Sequence, residues 1–433
     1  MYRKCTTAET GIGMHNYLCD TDGTGGHLKT VPEDFIVREI SDPPREKADG
    51  DYTIAMVTAR NWETNRMVRL MSRSMGVSRD RIGFAGTKDK RAVTTQLMSF
   101  YGTPDMVEKI DLKDVKIDNV YRGARGLDIG DLIGNDFEIT VKDCTMDPSL
   151  IKETVEADTE IIRKTGGFPN YFGVQRFGSV RPVTHLVGER LVRGDIEGAV
   201  MTYICYSTPE EEELLRNKRK ELEDVSKWPE LHRTIPVKMA FERMMVGTLI
   251  NDPGNWKAAI EAVPTNLQMM FVHAYQSWLF NEMLSRRMDA GLPLNVPVEG
   301  DIIIPLDANK VPQHENPILT TPKNIDLVTR QCRAGRAFVT ITLFGSDGEL
   351  AEGEMGEIER KVIEENKLSH EDFVIPGLQR CSSKGSRREI LCPLKNLDCE
   401  IENDSYKLKF MLPKGNYATC LLREYMKSEM RDY

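Results

Sequence analysis

The stretch GFAGTKDKRAVTTQ, residues 83–96, combines residue types that could carry out chemistry on a charged substrate. Its only carboxylate, Asp89, is flanked by three basic residues: Lys88, Lys90 and Arg91. Nearby cations keep a carboxylate ionised, and an ionised carboxylate can act as a nucleophile or accept a proton. The basic side chains could also hold phosphate. A solvated turn whose charges partly cancel is the alternative interpretation.

The same stretch lacks the features of two other kinds of site. A phosphate-binding P-loop needs a Gly-Lys pair followed by Ser or Thr, whereas Lys88 follows a threonine and precedes Asp89. Hydrolysis of a glycosidic bond by two carboxylates needs a second acid, and the stretch offers none. A single ionised aspartate in basic surroundings therefore remains.

Helices and strands that could position this loop are predicted on both sides of it. Alternation of apolar and polar residues predicts half-buried strands over 34–40 and 136–143. Apolar spacing and cap residues predict helices over 63–75, 147–167 and 271–287. Mixed helices and sheets, without internal repeats, indicate an α+β fold.

The charge of the chain is acidic overall but basic in patches. A net charge of −9 alone disfavours a nucleic-acid partner, because phosphate contacts need Lys and Arg. Nine basic residues nevertheless lie between Arg60 and Arg91, and six lie between Arg163 and Arg193. Three of them share one face of the helix predicted over 63–75: Arg66, Arg69 and Arg73. An arginine face of this kind could bind phosphate groups, and a helix face that is simply exposed to solvent is the alternative interpretation.

The cysteines and the hydropathy pattern indicate an intracellular protein without a metal site. The chain has nine cysteines and no CxxC pair, so we interpret them as free thiols. The spacing of Cys381, Cys392 and Cys399 fits no zinc pattern, and we predict no metal. No apolar run approaches the roughly 18 residues of a membrane span, and the N-terminus does not resemble a signal peptide. We predict a cytoplasmic protein that contacts no membrane.

Eight motifs, in order along nearly the whole chain, carry a resemblance to a known family. They are DFIVREI (34–40), ARNWET (59–64), the Asp89 stretch, IGNDFEI (133–139), PNYFGVQRFG (169–178), HAYQSWLFN (273–281), GSRREI (385–390) and MLPKGNYATCLLRE (411–424). Their order and spacing resemble the tRNA pseudouridine synthase D family, and NYFGVQRFG is particularly diagnostic. In one departure, Arg60 stands where the family commonly has Lys.

The resemblance implies an enzyme that isomerises uridine to pseudouridine in RNA, in that family at tRNA position 13, without a cofactor. Asp89 matches the catalytic aspartate, and attack on the ribose, attack on the uracil and removal of the 2′ proton all remain open. Phe137 matches an aromatic residue that stacks on the target base, and Asn135 matches its polar partner. Core packing is the alternative role for Phe137.

The resemblance also assigns basic residues to the substrate. Lys88 and Lys90 would bind phosphate or tune Asp89, and Arg423 resembles a basic residue that lies near the catalytic carboxylate. A wider set is expected to contact RNA: Arg66, Arg69, Arg73, Arg91, Arg176, Arg181, Arg387 and Arg388. The expected partner is tRNA, with no obligate protein partner, and a monomer is the default expectation.

The implied architecture is a pseudouridine-synthase catalytic domain built on a mixed, mainly antiparallel sheet. Residues 1–167 would form its first part and residues 392–433 its C-terminal return. An α+β insertion domain specific to the family would occupy 168–391. RNA would enter a cleft between the two domains.

Two other functions remain open at the level of the sequence. A non-catalytic RNA-binding protein would need the basic faces but not Asp89. A nucleotide hydrolase that uses the loop over 83–96 would depend on metal and bind nucleotide. Neither function explains the ordered set of motifs.

Overall fold

The computed structural model describes residues 2–307 and 311–433. The strands are β1 (Arg3–Lys4), β2 (Asn16–Tyr17), β3 (Phe35–Ser41), β4 (Tyr52–Arg60), β5 (Ile82–Phe84), β6 (Val93–Tyr101), β7 (Val115–Gly123), β8 (Leu132–Val141), β9 (Gly167–Pro169), β10 (Ile302–Pro305), β11 (Ile318–Leu319), β12 (Ala337–Leu343), β13 (Ser386–Glu389), β14 (Leu391–Pro393), β15 (Lys395–Glu402) and β16 (Ser405–Pro413). The helices are α1 (Thr64–Met75), α2 (Pro104–Val107), α3 (Pro148–Thr165), α4 (Thr184–Val192), α5 (Ile196–Cys205), α6 (Glu213–Glu221), α7 (Trp228–Leu231), α8 (Ala240–Asn251), α9 (Trp256–Ala262), α10 (Thr265–Asp289), α11 (Ile325–Arg333), α12 (Gly353–Glu365) and α13 (Ala418–Met426).

The largest sheet has the strand order β15-β16-β8-β3-β6-β4-β7, and the short strand β5 also pairs with β6. Its neighbouring strands run antiparallel except β3 and β6, which are parallel. One face carries buried apolar side chains from β3, β8 and β16, whereas the other face of these strands carries ion pairs such as Lys407 with Glu138. This arrangement confirms the prediction of an α+β fold with a mixed, mainly antiparallel sheet.

Helix α1 forms because its sequence fixes both ends and one apolar face. The Glu63 carboxylate accepts hydrogen bonds from the backbone N–H groups of the first turn, and Gly76 ends the helix in the left-handed conformation at φ 68°. Met67, Val68 and Met71 pack with strand residues of β4 and β6 in a small core. The predicted helix is confirmed, and its buried face determines which side chains point outward.

A second sheet has the order β11-β10-β12-β13 and comes from residues 302–389. The long helix α10 packs along α4 and β12 and is buried over most of its length. It begins at Thr265 and ends at Asp289, so it is longer than the predicted 271–287. No helix in the described residues is both long enough and apolar enough to cross a membrane.

The predicted domain junctions meet in one short ladder. Strand β9 pairs antiparallel with β14, and Phe168 lies opposite Cys392. The chain leaves the large sheet at the end of β8 and re-enters it with β15, and the β9–β14 ladder, a separate two-stranded sheet, brings the backbone near residues 167 and 392 together. The division into 1–167, 168–391 and 392–433 stays a prediction.

Candidate active site

The Asp89 loop connects two antiparallel strands, β5 and β6, at the edge of α1. A Cβ at Gly83 would lie 2.6 Å from the Leu127 carbonyl oxygen, so the close approach of these backbones requires glycine. The loop turns back where the Ala92 N–H bonds to the Lys90 carbonyl oxygen at 3.0 Å.

Asp89 is accessible and has a cationic partner. Its Oδ1 lies 3.0 Å from the Nζ of Lys29, and the side chains are 48% and 18% exposed, respectively. The same ammonium lies 4.2 Å from the centroid of the Phe35 ring. Lys29 adopts the left-handed conformation at φ 56°. The sequence analysis did not single out this lysine, which stands alone five residues before the DFIVREI motif.

An aromatic group continues from Phe35 across the sheet. The Phe137 ring meets Phe35 edge to face at 6.2 Å and stacks on Phe410 at 5.3 Å. Directly paired strand residues share a face, and Val37 pairs with Phe137 in the β3–β8 ladder. Phe137 is half-buried, so it contributes to the core and still offers ring surface next to the lysine that holds Asp89.

Lys88 points away from solvent. Its Nζ lies 2.5 Å from Oε2 of Glu39, and the two side chains are 5% and 0% exposed. The charge of Lys88 is therefore already matched by a buried carboxylate, and the expectation that it binds phosphate or tunes Asp89 stays a prediction. Asn135 pairs with Glu39 across the ladder, and its buried Oδ1 has no hydrogen-bond partner among the residues that the structure describes.

Three other predicted contacts with the substrate lie in buried ion pairs. Arg423 binds Glu9 at 2.8 Å, Arg181 binds Glu242 at 3.0 Å, and Arg387 binds Glu359 at 3.2 Å. Arg181 and Arg387 are largely buried in these pairs, and the expectation that they contact RNA stays a prediction. Arg423 also contacts the Asn16 carbonyl and stacks on Tyr17, with no contact to Asp89 among the described residues. Binding of RNA by any of the three would require breaking its ion pair.

The remaining predicted basic residues fall into two groups. Five are exposed near the loop or on the outer face of α1: Arg66, Arg69, Arg73, Lys90 and Arg91. Arg176 and Arg388 are half-buried around the Phe172 ring, at 5.6 and 4.2 Å from its centroid. Arg388 bonds to Oδ1 of Asn170 at 2.7 Å, and burial lowers the pKa of its guanidinium. Because burial disfavours the charged guanidinium, binding of an anionic ligand beside it would stabilise that charge.

Metal-binding chemistry has no candidate cluster in the described part of the chain. No group of three or more His, Cys, Asp or Glu side chains could hold an ion there. Cys381 and Cys392 are buried free thiols, and burial raises the pKa of Cys381 to about 11. An accessible carboxylate, an aromatic surface and exposed cations thus make up the site. This combination fits an enzyme that modifies a base in RNA.

Comparisons with known proteins place the chain within that class. The family model described as tRNA pseudouridine synthase D (TruD) matches residues 11–425. The chain belongs to the tRNA pseudouridine synthase D family, which confirms the resemblance found in its motifs. It is 42% identical over 426 residues to the "Probable tRNA pseudouridine synthase D" of Methanosarcina mazei, covering 97% of both chains.

Two further matches agree with this assignment. The protein of the same printed name from Methanococcoides burtonii is 42% identical over 428 residues, with 97% of each chain covered. The crystal structure of the "Putative tRNA pseudouridine synthase D (TruD)" from Methanosarcina mazei superposes with a TM-score of 0.86. That structure is 42% identical and the match covers 98% of both chains, so the whole fold is shared.

Proposed function

We propose that this chain isomerises uridine to pseudouridine in tRNA and that Asp89 is the catalytic carboxylate. Membership of the family over residues 11–425 carries the proposal. The accessibility of Asp89 and its ion pair with Lys29 support the assignment of the carboxylate. The family resemblance further suggests position 13 as the modified uridine.

The reaction exchanges one bond between base and sugar for another. The bond from C1′ to N1 breaks, the uracil turns, and C1′ bonds to C5; C5 then loses its proton, and N1 carries a proton in the product. Asp89 could attack the ribose, attack the uracil or remove the 2′ proton. Phe137, stacked on Phe410, offers a ring surface that would retain the detached neutral base.

The surface around the loop suits a polyanion. Exposed cations lie on α1 and directly after Asp89, and the half-buried Arg176 and Arg388 lie at Phe172. We propose that RNA contacts the exposed residues first: Arg66, Arg69, Arg73, Lys90 and Arg91. We further propose a cytoplasmic monomer that has the domain division given above and needs no cofactor.

Replacement of Asp89 by Asn tests the catalytic assignment. The amide keeps the size of the side chain but loses its charge and nucleophilicity, so turnover should fall by more than about a thousandfold. The dissociation constant for tRNA should change by less than about threefold, because a half-exposed pair contributes little to binding. Release of tritium from C5-labelled uridine in tRNA measures turnover.

Asp80→Asn is the matched control, since Asp80 is an exposed carboxylate in the same segment. It should retain wild-type turnover. Residual activity of Asp89→Asn above about a thousandth of wild type would exclude Asp89 as the essential group. Mapping of pseudouridine in total tRNA after incubation with the protein identifies the modified position.

A further inference from the structure

A row of buried polar side chains lies beneath the Asp89 loop. Glu39 accepts hydrogen bonds from the Nζ of Lys88 at 2.5 Å, from the Ser41 hydroxyl at 2.5 Å and from the Leu97 N–H at 3.4 Å. The carboxylate therefore joins strand β3, strand β6 and the loop. Because Lys88 directly precedes Asp89, this contact ends one residue away from the catalytic carboxylate.

The backbone of the same lysine has a second anchor. Its N–H donates to Oγ1 of Thr64, the first residue of α1, at 2.9 Å. Thr64 is buried, and α1 is held to the sheet by its apolar face. Side chain and backbone of Lys88 are thus fixed to two different elements, the sheet and the helix.

This polar row is unfavourable for stability. By strand alternation, Gln96 on β6 shares the face of Glu39, because Thr94 pairs with Val37. Gln96 Nε2 and Asn135 Oδ1 are both buried, and neither has a hydrogen-bond partner in the described part of the chain. An unsatisfied buried group costs about 1–3 kcal/mol, and replacing a buried ion pair with apolar side chains is often neutral or stabilising. Stability alone therefore does not explain why polar groups are concentrated here.

We propose that Glu39 and Lys88 are positioning residues, whose buried ion pair holds the Asp89 loop in its catalytic geometry. The inference rests on the proposed function. Neither side chain can contact RNA while buried, so both act through Asp89. Misplacement of a catalytic group by about 1 Å can reduce the rate about a hundredfold. Loss of the pair should therefore reduce kcat while leaving tRNA binding unchanged.

The double variant Glu39→Gln/Lys88→Met tests this role. Removing both charges together leaves no unpaired buried ion, so the fold should persist. We expect kcat in the tritium-release assay to fall about a hundredfold, with KM and the dissociation constant for tRNA within about threefold of wild type. A merely structural role would lower the melting temperature but not kcat of the folded protein.

The control is Arg287→Met/Asp301→Asn, which removes a fully buried ion pair of 2.6 Å outside the catalytic loop. Assayed below its melting temperature, it should keep wild-type kcat. If the Glu39 and Lys88 variant keeps kcat within about threefold of wild type, the inference is wrong. If that variant does not fold, Thr64→Val decides, since loss of the second anchor should lower kcat about tenfold and an unchanged kcat would overturn the proposal.

Failure of the proposed function gives a different result. Wild-type protein would then form no pseudouridine in tRNA. Failure of the positioning role appears instead as full activity in the variants of an active wild type.

Discussion

Replacing Arg66, Arg69 and Arg73 together with glutamine tests whether the outer face of α1 binds the RNA. These side chains are exposed at spacings of three and four residues, while the opposite face of the helix is buried. Within residues 2–307 and 311–433 these three guanidinium groups form no ion pair at hydrogen-bonding distance, although the Glu63 carboxylate at the start of the helix attracts Arg69. The helix also begins at Thr64, which bonds to the loop that carries Asp89. The three arginines therefore form a cationic surface that continues to the candidate active site.

The magnitude follows from counterion release. Each phosphate contact contributes about 0.7–0.9 to the slope of log K against log salt, so three lost contacts should reduce that slope by about 2. A slope difference of about 2 corresponds to about 16-fold over a fourfold change in salt. The binding defect of the variant should thus be about 16 times larger at 50 mM than at 200 mM salt. Turnover at saturating tRNA should stay near wild type, because Asp89 and its partners are untouched.

Fluorescence anisotropy with labelled tRNA over this salt range measures the slope. The control replaces Arg330, Arg333 and Arg336 by glutamine, which removes the same charge from exposed positions at α11 and just beyond it. A reduced salt slope in the α1 variant alone supports direct contact between these arginines and the RNA. Equal slopes for the α1 variant and wild type would refute the argument, and equal reductions in both variants would show an effect of net charge only.

Two further predictions concern buried ionisable side chains away from the loop, His185 and Arg423. Burial lowers the pKa of His185 to about 4, so the unfolded state, with a pKa of about 6.5, binds more protons between these values. The free energy of unfolding should therefore fall by on the order of 3 kcal/mol as pH drops from about 6.5 to 4, and urea titrations of His185→Phe should lack this component. Arg423→Met should destabilise the protein by about 3–5 kcal/mol, because Glu9 is left buried without its partner. A more than tenfold weaker tRNA affinity in folded Arg423→Met would instead favour a substrate contact.

Local signals in the sequence predicted the elements around the site well. Glu63 and Gly76 cap the two ends of α1, and Asp147 and Gly166 cap those of α3. Such ends can be read from the sequence because capping depends on residues only a few positions apart. Strand alternation likewise predicted β8, with Phe137 on the same face as the core. The arginine face of α1 followed directly from these assignments.

The ion pairs of the site could not be predicted in this way. Lys29 and Asp89 are 60 residues apart, and Glu39 and Lys88 are 49 apart. Each pair depends on the parallel contact of β3 with β6, which no local pattern encodes. A basic cluster in the sequence therefore indicated available charge but not which charges already have buried partners.

The different environments of Arg387 and Arg388 could have been predicted from the sequence. Arg387 and Arg388 are consecutive residues of β13, and neighbouring strand residues point to opposite faces. They could not both face one RNA surface. The structure pairs Arg387 with Glu359, whereas Arg388 contacts the polar groups of Asn170. Only the second arginine is left without a carboxylate in the described residues, so it is the better candidate for a phosphate.

The architecture around Asp89 meets two requirements that oppose each other. A catalytic carboxylate must be accessible to its substrate, yet accessible side chains on loops have conformational freedom that slows an oriented reaction. Here the carboxylate itself is half-exposed and has one cation, Lys29, as its partner. The contacts that we propose to fix the loop lie one residue earlier, in the buried Lys88, and leave the Asp89 side chain accessible. In the proposed arrangement the buried polar row costs stability, and in exchange it fixes the orientation of the Asp89 carboxylate.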